Sequence, residues 1–421
     1  MANKNLSAAK KAKQDEFYTQ MNDIQAEINA YLDFDENTFR GKTVLLPCDD
    51  PEWSNFTLFF AQNFERLGLK KLISTSYAPE SKTAKYGALF EYAASQNGET
   101  PKNERGKIFV LDHDTNMNGR IDFEDLEWEY LKGDGDFRSD EVCRLRDEAD
   151  LIVTNPPFSM FREFLAWILD GHSRDSKITN WECRHLGGDG KQFLIIGNMN
   201  AITYKEVFPL IMGNKLWLGR GFSHGNAYFR VPDGASTDYA DGVYDSTTNL
   251  VKFRNVCWFT NLDHGRRHQP LLLMTMAQNV KHSKHKEVRG IGYRTYDNYD
   301  AIEVPFTDAI PSDYDGVMGV PISFLDKYCP DQFEILGMCE NEDLYGLKTR
   351  VYNHEECKRA YMAKFGKKGT YDLNASGVLT INGIQEKAYQ RILIRRRRKS
   401  CQSYKLGQEM KGVHHESDTP A

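Results

Sequence analysis

The chain of 421 residues lacks any apolar run longer than a strand, so no transmembrane helix and no membrane partner are expected. Its first stretch, MANKNLSAAKKAKQDEFYTQ, carries lysines but no apolar core, which argues against a secretory signal. None of the eight cysteines stands in a C-x-x-C pair. That absence speaks against a zinc site or a disulfide framework and for a reducing cytoplasm. There is also no overall excess of positive charge, the formal net charge being -6. A nucleic-acid partner would therefore have to be met by local basic patches. Lys10, Lys11 and Lys13 form one such patch near one end; Arg395, Arg396, Arg397 and Arg398 with Lys399 form another near the other. The plain alternative for each is a solvated tail or a charged strand end facing water. No internal repeat is visible.

What is present is enough chain for two domains with real cores, at 40% hydrophobic and 12% aromatic content. The first half alternates strand-like and helix-like segments. KTVLLP (42–47) reads as a buried strand and SNFTLFFAQNFERLG (54–68) as a helix, with Ser54 as N-cap and Gly68 as stop. In that helix Phe56, Phe60, Phe64 and Leu67 share a face. Further strands are expected at 69–77, 107–112, 150–154 and 192–198, and a helix capped by Ser139 precedes the third of these. KLWLG, NAYFRVP and VCWFTNL then follow in closer succession. This pattern predicts an α/β fold, a doubly wound, mostly parallel sheet with an antiparallel edge. From about residue 236 the texture turns loop-rich, tyrosine-rich and basic, which predicts a second, α+β module. Some of its strands are expected to complete the first sheet. The boundaries expected are 1–235, 236–402 and a disordered tail over 403–421.

The stretch DLIVTNPPFSMF (150–161) carries the chemistry. A strand runs straight into Asn155, Pro156, Pro157 and Phe158. The bland reading is a strand and a rigid turn. The sharper one is a pocket for a flat amine. An exocyclic amine on a heteroaromatic ring is a poor nucleophile because its lone pair is delocalised. Two acceptors on its two hydrogens draw the nitrogen toward tetrahedral geometry and free that pair. The Asn155 side-chain carbonyl is one acceptor and the Pro156 backbone carbonyl the other. Proline brings no competing N–H, and Pro157 restricts the residue before it. Phe158 offers a stacking face. The implied electrophile is a methyl sulfonium. Strand ends of such sheets are where ligands bind.

Asn-Pro-Pro-Phe in this place resembles the catalytic motif of amino-group DNA methyltransferases. Combined with DEFYTQ (15–20), KGDGDFRSDE (132–141), FLIIGNMNAITYKEVF (193–208), GVPISFLDKY (319–328), DQFEILGM (331–338) and YQRILIRRR (389–397), it is similar to the EcoRI-type adenine-specific DNA methyltransferase family over nearly the whole chain. The resemblance implies a class I methyltransferase-like sheet, S-adenosylmethionine as cofactor, double-stranded DNA as partner and transfer to adenine N6. It implies that Phe17, Tyr18 and Thr19 line the methionine end of the cofactor. Asp136 would accept from the cofactor's adenine amino group with Phe137 beside the ring, while Asn155, Pro156, Pro157 and Phe158 grip the target base. Most methyltransferases of this fold have a Gly-x-Gly turn after the first strand; here PCDDPEWSN (47–55) has no glycine. Cys48, Asp49 and Asp50 are candidates to replace it, with the choice between the two acids open.

DTNMNGRIDFED (114–125) matches a calcium-loop template, with Asp114, Asn116, Asn118, Asp122 and Asp125 as candidate ligands and Gly119 at the turn. Asp125 replaces the usual longer glutamate, and a strand precedes the loop, so a self-bonded Asx loop is the alternative to a structural calcium. Phosphate contacts are expected from Arg266, Arg267, Lys281, Lys284, Lys286 and the Arg395–Arg398 run, with base edges read by the second module. The same pocket would also serve a methyltransferase of RNA bases or protein glutamine; a non-catalytic, calcium-stabilised DNA-binding protein is a rival from another class. No Pro-Asp…Asp/Glu-x-Lys constellation marks a fused nuclease, and little spare chain remains for one; a companion restriction endonuclease is expected only as a separate chain, and the enzyme itself is expected to be a monomer.

Overall fold

Four buried residues, Thr43–Leu46, form strand β2 at the centre of the larger sheet. The computed structural model describes residues 18–50, 54–77, 105–125, 128–170, 191–222, 225–231 and 238–397. Phe17, Arg398, the N-terminal lysines and the 403–421 tail lie outside the described residues. The chain divides into two units, 1–267 and 268–421.

The first unit holds an eight-stranded sheet. In chain order its described elements are β1 (Tyr18–Thr19), α1 (Met21–Leu32), β2, α2 (Asn55–Gln62), α3 (Phe64–Leu67), β3 (Lys71–Thr75), β4 (Lys107–Leu111), β5 (Trp128–Tyr130), α4 (Asp140–Glu148), β6 (Leu151–Thr154), α5 (Phe161–Asp170) and β7 (Gln192–Asn198). Then come α6 (Phe208–Met212), β8 (Trp217–Leu218), β9 (Asn226–Arg230), β10 (Tyr244–Asp245), β11 (Leu250–Arg254) and β12 (Val256–Thr260). The sheet order is β5-β4-β3-β2-β6-β7-β12-β8. Pairing is parallel among β3, β2, β6 and β7. It is antiparallel outward of β3 and of β7. The chain is thus mixed α/β around a large mixed sheet, with antiparallel pairing at both edges rather than at one. The segment 107–112 is a strand, as expected, but it runs against its neighbour β3.

The central strands are buried on both faces. Val44, Leu46, Leu151, Val153, Leu194 and Ile196 enter one core cluster, while the alternating Leu45, Ile152, Phe193 and Ile195 are equally buried outside it. Ser54 caps α2 as expected, its hydroxyl accepting from the Phe56 and Thr57 amides. Gly68 ends α3 with a φ of 63°. The expected single helix is broken at Asn63, whose side-chain amide donates to the Phe59 carbonyl at 2.8 Å and competes for the helical ladder. Phe56, Phe59, Phe60 and Phe64 are all buried, each contributing about 1.5–3 kcal/mol.

Glu27 of α1 is buried. Its carboxylate accepts from the Tyr31 hydroxyl at 2.8 Å and from the backbone amides of Arg220 and Gly221 at 2.9 and 3.0 Å, stitching α1 to the chain after β8. Burial pushes its pKa up to about 7, against the pull of those hydrogen bonds and of Arg220.

A smaller sheet, β1-β9-β11-β10, stands in the same unit. β11 and β12 are consecutive in sequence yet belong to different sheets. Asn255, at φ 61°, turns the chain between them; asparagine tolerates that left-handed backbone better than most residues.

The second unit contains α7 (Met276–His282), β13 (Ile302–Glu303), β14 (Met318–Pro321), β15 (Phe333–Met338), α8 (His354–Phe365), β16 (Val378–Ile381), β17 (Ile384–Lys387) and β18 (Arg391–Arg396). Its sheet order is β13-β14-β18-β15, beside a β16–β17 hairpin. Buried Arg391 grips buried Glu303 through Nη2 at 2.6 Å and Nε at 3.0 Å.

Candidate active site

Asn155 follows the last residue of β6, so it sits at the carboxyl end of a central parallel strand. The chain leaves β2 for β3 on one side and later returns to β6 on the other. The β2–β6 boundary is therefore a topological switch point, where an open α/β sheet leaves a crevice. A cavity of about 280 Å³ lies there, near the low end of the ~300–1,000 Å³ common for ligand sites. Its walls include Cys48, Asp49 and Asp50 after β2, Ser76 and Tyr77 after β3, and Asn155 and Pro157 after β6. Tyr18 and Thr19 of β1 close one side, and Gly135, Asp136 and Phe137 another.

The glycine-free turn after β2 is held by hydrogen bonds. Asp49 is 6% exposed. Its Oδ1 accepts from the Ser54 hydroxyl at 2.6 Å and its Oδ2 from the Thr154 hydroxyl at 2.7 Å. Its backbone carbonyl accepts from the Ser74 hydroxyl at 2.7 Å. One side chain thus links the ends of β2 and β6 and the start of α2, and Thr154 is the residue before Asn155. The Asp50 carboxylate stands 3.6 Å from Lys107 Nζ with 27% of the side chain exposed. Between the two acids, the accessible one is Asp50.

On the opposite wall, Gly135 has a φ of 81°, and a Cβ there would fall 2.1 Å from the Ser76 carbonyl oxygen. Glycine is needed for this close approach. Next to it, both Asp136 oxygens are held by Arg138, at 2.9 Å from Nε and 2.6 Å from Nη2. Burial works to raise the Asp136 pKa, but the Arg138 hydrogen bonds and charge outweigh it and hold the carboxyl below its usual value. Phe137 packs against Phe164 and Trp167, with ring centres 5.1 and 5.5 Å away. Asn55 donates to the Thr19 carbonyl at 2.7 Å, fixing β1 against α2. The Thr19 hydroxyl is buried with no hydrogen-bond partner among the described residues.

Beyond Asn155, Pro156 is buried and Pro157 has φ -54° and ψ 121°. The half-buried Phe158 packs nearly perpendicular to Phe229 and Phe253, at ring-centre distances of 6.4 and 6.3 Å. Those two contacts fix its plane. Neither Pro156 nor Phe158 lines the cavity itself. Ser54, Asn55, Arg138 and Met160 line it and were not expected from the sequence. Ser54 was legible only as a helix cap.

A family model described as adenine-specific methyltransferase EcoRI matches residues 5–397. This chain belongs to that family. It is 41% identical over 341 residues to the type II methyltransferase M.EcoRI of Escherichia coli, covering 79% of this chain and 89% of that one. It is 32% identical over 354 residues to the type II methyltransferase M.MpnI of Mycoplasma pneumoniae, covering 82% and 90%. A third relative, the type II methyltransferase M.MgeORF184P of Mycoplasma genitalium, is 29% identical over 402 residues, covering 93% and 98%. No solved structure gives a significant match. Membership in a methyltransferase family implies S-adenosylmethionine as methyl donor. The walls fit such a group: a buried Thr19 hydroxyl with no hydrogen-bond partner among the described residues, and carboxylates at Asp50 and Asp136 for hydroxyl and amine donors.

The calcium expectation is not supported. Asp114, Asn116 and Asn118 accept from amides of their own loop, Asp122 from the Glu124 amide, and Asp125 from the Thr115, Asn116 and Asp122 amides. Among the described residues no three acidic, histidine or cysteine side chains gather as a metal set. The loop satisfies itself by Asx turns.

The basic candidates separate. Arg267 requires correction: it is buried, its guanidinium lies 3.5 Å from the Trp217 ring centre, and it pairs with Asp263 at 3.1 Å. It is a packing residue without access to phosphate. Arg266 is half-buried and donates to the Arg220 carbonyl. Lys281 and Lys286 are exposed, while exposed Lys284 pairs with Asp308 at 2.7 Å. Arg395 pairs with Glu334, Arg396 donates to the Ser312 carbonyl, and Arg397 donates to the Pro330 carbonyl at 2.7 Å. Much of that run is held by its own sheet surroundings. Among the described residues no helix is long and apolar enough to cross a membrane.

Proposed function

We propose that the protein is a site-specific DNA adenine-N6 methyltransferase acting on a base extruded from the duplex. The observation that carries this reading is Asn155, first residue of the Asn-Pro-Pro-Phe turn, in the wall of the switch-point cavity of a chain belonging to an adenine-specific methyltransferase family. We read the first unit as the doubly wound, class I methyltransferase-like catalytic domain. The second unit is then the α+β target-recognition module, with duplex DNA as the shared partner.

The target base must leave the stack to reach Asn155, at a cost of a few kcal/mol. Asn155 Oδ1 and the Pro156 carbonyl then accept the two amine hydrogens. Pro157 restricts the backbone before it and so fixes that carbonyl. Phe158, its plane set by Phe229 and Phe253, stacks on the base. When bound, S-adenosylmethionine supplies the electrophilic methyl carbon. Tyr18 and Thr19 line its methionine end, Thr19 through the hydroxyl that has no other partner among the described residues. Asp50 takes the ribose hydroxyls, since it is the accessible acid while Asp49 is buried beneath the turn it braces to Ser54 and Thr154. Asp136, kept ionised by Arg138, accepts from the adenine amine of the cofactor with Phe137 beside the ring. The amine becomes acidic as it is alkylated, so no side chain has to act as base beforehand.

The test is expression in a host free of DNA methylation, followed by a genome-wide map of modified bases. N6-methyladenine at one recurring sequence is expected. Unmodified DNA with methyl groups in RNA or on protein glutamine would overturn the reading.

A further inference from the structure

We infer that the outer face of the β1-β9-β11-β10 sheet is a DNA-backbone surface that holds the strand flanking the extruded adenine; this rests on the function proposed above. The two faces of this sheet differ sharply. Ala227, Phe229, Val251 and Phe253 point inward and are buried, and Phe229 and Phe253 carry the Phe158 ring. The alternate residues point outward: Asn226, Tyr228 and Arg230 on β9, and Lys252 and Arg254 on β11.

Three of those outward residues are cations. Arg230 and Arg254 are exposed, and Lys252 Nζ lies 5.7 Å from the centre of the 41%-exposed Tyr228 ring. Among the described residues no carboxylate pairs with any of the three. The acid on these strands, Asp245, turns into its own loop, accepting from the Thr247 amide and the Thr248 hydroxyl at 2.9 Å each. Ordinary surface lysines and arginines are interspersed with acids. Here the face is left positive.

Its position gives the charge a use. Arg230 is the cross-strand partner of Tyr18, which lines the cavity. Paired residues lie about 5 Å apart on one face. Lys252 and Arg254, two positions apart, are about 6.8 Å apart along the strand, the scale on which successive backbone phosphates recur. A nucleotide drawn into the Asn155 pocket brings its neighbouring phosphates to the rim of that cavity. Arg230 stands beside that rim, with Lys252 and Arg254 farther along the same face. Tyr228 among them offers an aromatic face to a sugar or an unstacked base, the combination of cations and aromatics that unpaired strands favour.

The test uses the full-length protein. Arg230→Gln, Lys252→Gln and Arg254→Gln are combined, and the Kd for duplex DNA is measured across salt concentrations. Each lost phosphate contact flattens the logarithmic salt slope by about 0.9, so the triple variant should lose about 2–3 from the slope and bind about tenfold or more weakly at moderate salt. Its melting temperature and its affinity for S-adenosylhomocysteine should be unchanged. An Arg230→Lys/Arg254→Lys variant, keeping the charges, should restore most of the slope. If the triple variant folds and binds DNA with the parent's slope and Kd, while the parent methylates adenine, the surface assignment is wrong and the functional reading stands. If the parent itself neither binds nor methylates duplex DNA, it is the functional reading that fails.

Discussion

Replacing Asp49 separates a structural role from a cofactor contact. Its carboxylate is buried and takes two hydroxyl hydrogen bonds, from Ser54 at 2.6 Å and Thr154 at 2.7 Å. Hydrogen bonds to a charged group are worth about 1.5–3 kcal/mol each, and truncation also takes away the acceptor that the Ser54 and Thr154 hydroxyl hydrogens have at Asp49. Asp49→Ala should therefore cost about 3–5 kcal/mol. In a unit of this size that lowers the melting temperature by roughly 10 °C. Asp49→Asn keeps one oxygen acceptor and turns the other bond around, since a hydroxyl can accept as well as donate. It should cost only about 1 kcal/mol. Thermal denaturation of both variants, with titration of S-adenosylhomocysteine into the folded Asn variant, gives the answer. The expected result is a large melting shift for Ala, a small one for Asn, and cofactor affinity within a few-fold for Asn. If Ala melts within 2 °C of the parent, the bracket is not holding the turn. If Asn melts normally but loses affinity tenfold, Asp49 contacts the cofactor and Asp50 has been given the wrong role.

Three other perturbations have defined outcomes. Glu27 is raised in the folded state from 4.5 to about 7, so folding takes up a proton there. Its contribution to stability is complete below its unfolded pKa and is lost as pH rises toward and through 7, an amount of about 3 kcal/mol at 1.36 kcal/mol per unit. Subtracting the pH–stability curve of Glu27→Gln from that of the parent should reveal this slope; a flat difference between pH 4.5 and 8 would show that Glu27 titrates normally. Arg267→Ala removes the cation over Trp217 and should destabilise by about 2–4 kcal/mol while leaving the salt dependence of DNA binding intact; a flattened salt slope in the folded variant would return Arg267 to the DNA. Phe158→Ala should weaken capture of the extruded base by about 1–3 kcal/mol, read with a fluorescent adenine analogue at the target position. Equal brightening in the variant and the parent would dismiss the stacking role.

The sequence made local features legible and long-range ones not. The buried strand before Asn155, the Ser54 cap and the Gly68 stop each follow from neighbours a few residues apart, and each is where the pattern puts it. The Asp49–Thr154 bond joins positions 105 apart, and nothing local in PCDDPEWSN distinguishes Asp49 from Asp50. Arg267 looked like surface because it sits in HGRRH, yet Trp217, fifty residues earlier in the chain, offers it a ring and Asp263 a charge. The Asp/Asn-rich loop at 114–125 has the composition of a cation site because amide-capping turns draw on the same side chains. Antiparallel pairing of β4 with β3 was hidden because a strand's direction is not written in its apolar pattern. The small sheet is hidden for a related reason: LVKFR and VCWFT are separated in sequence by a single residue, and only the left-handed backbone at Asn255 divides them between two sheets.

The most direct measurement is methyl incorporation into adenine N6 by Asn155→Ala, with cofactor affinity determined on the same preparation. A single preorganised polar contact of this kind is worth on the order of 10²–10³ in rate. The variant should lose at least that much turnover while binding S-adenosylhomocysteine as the parent does. Undiminished methylation of adenine by a folded Asn155→Ala protein would contradict the account at its centre.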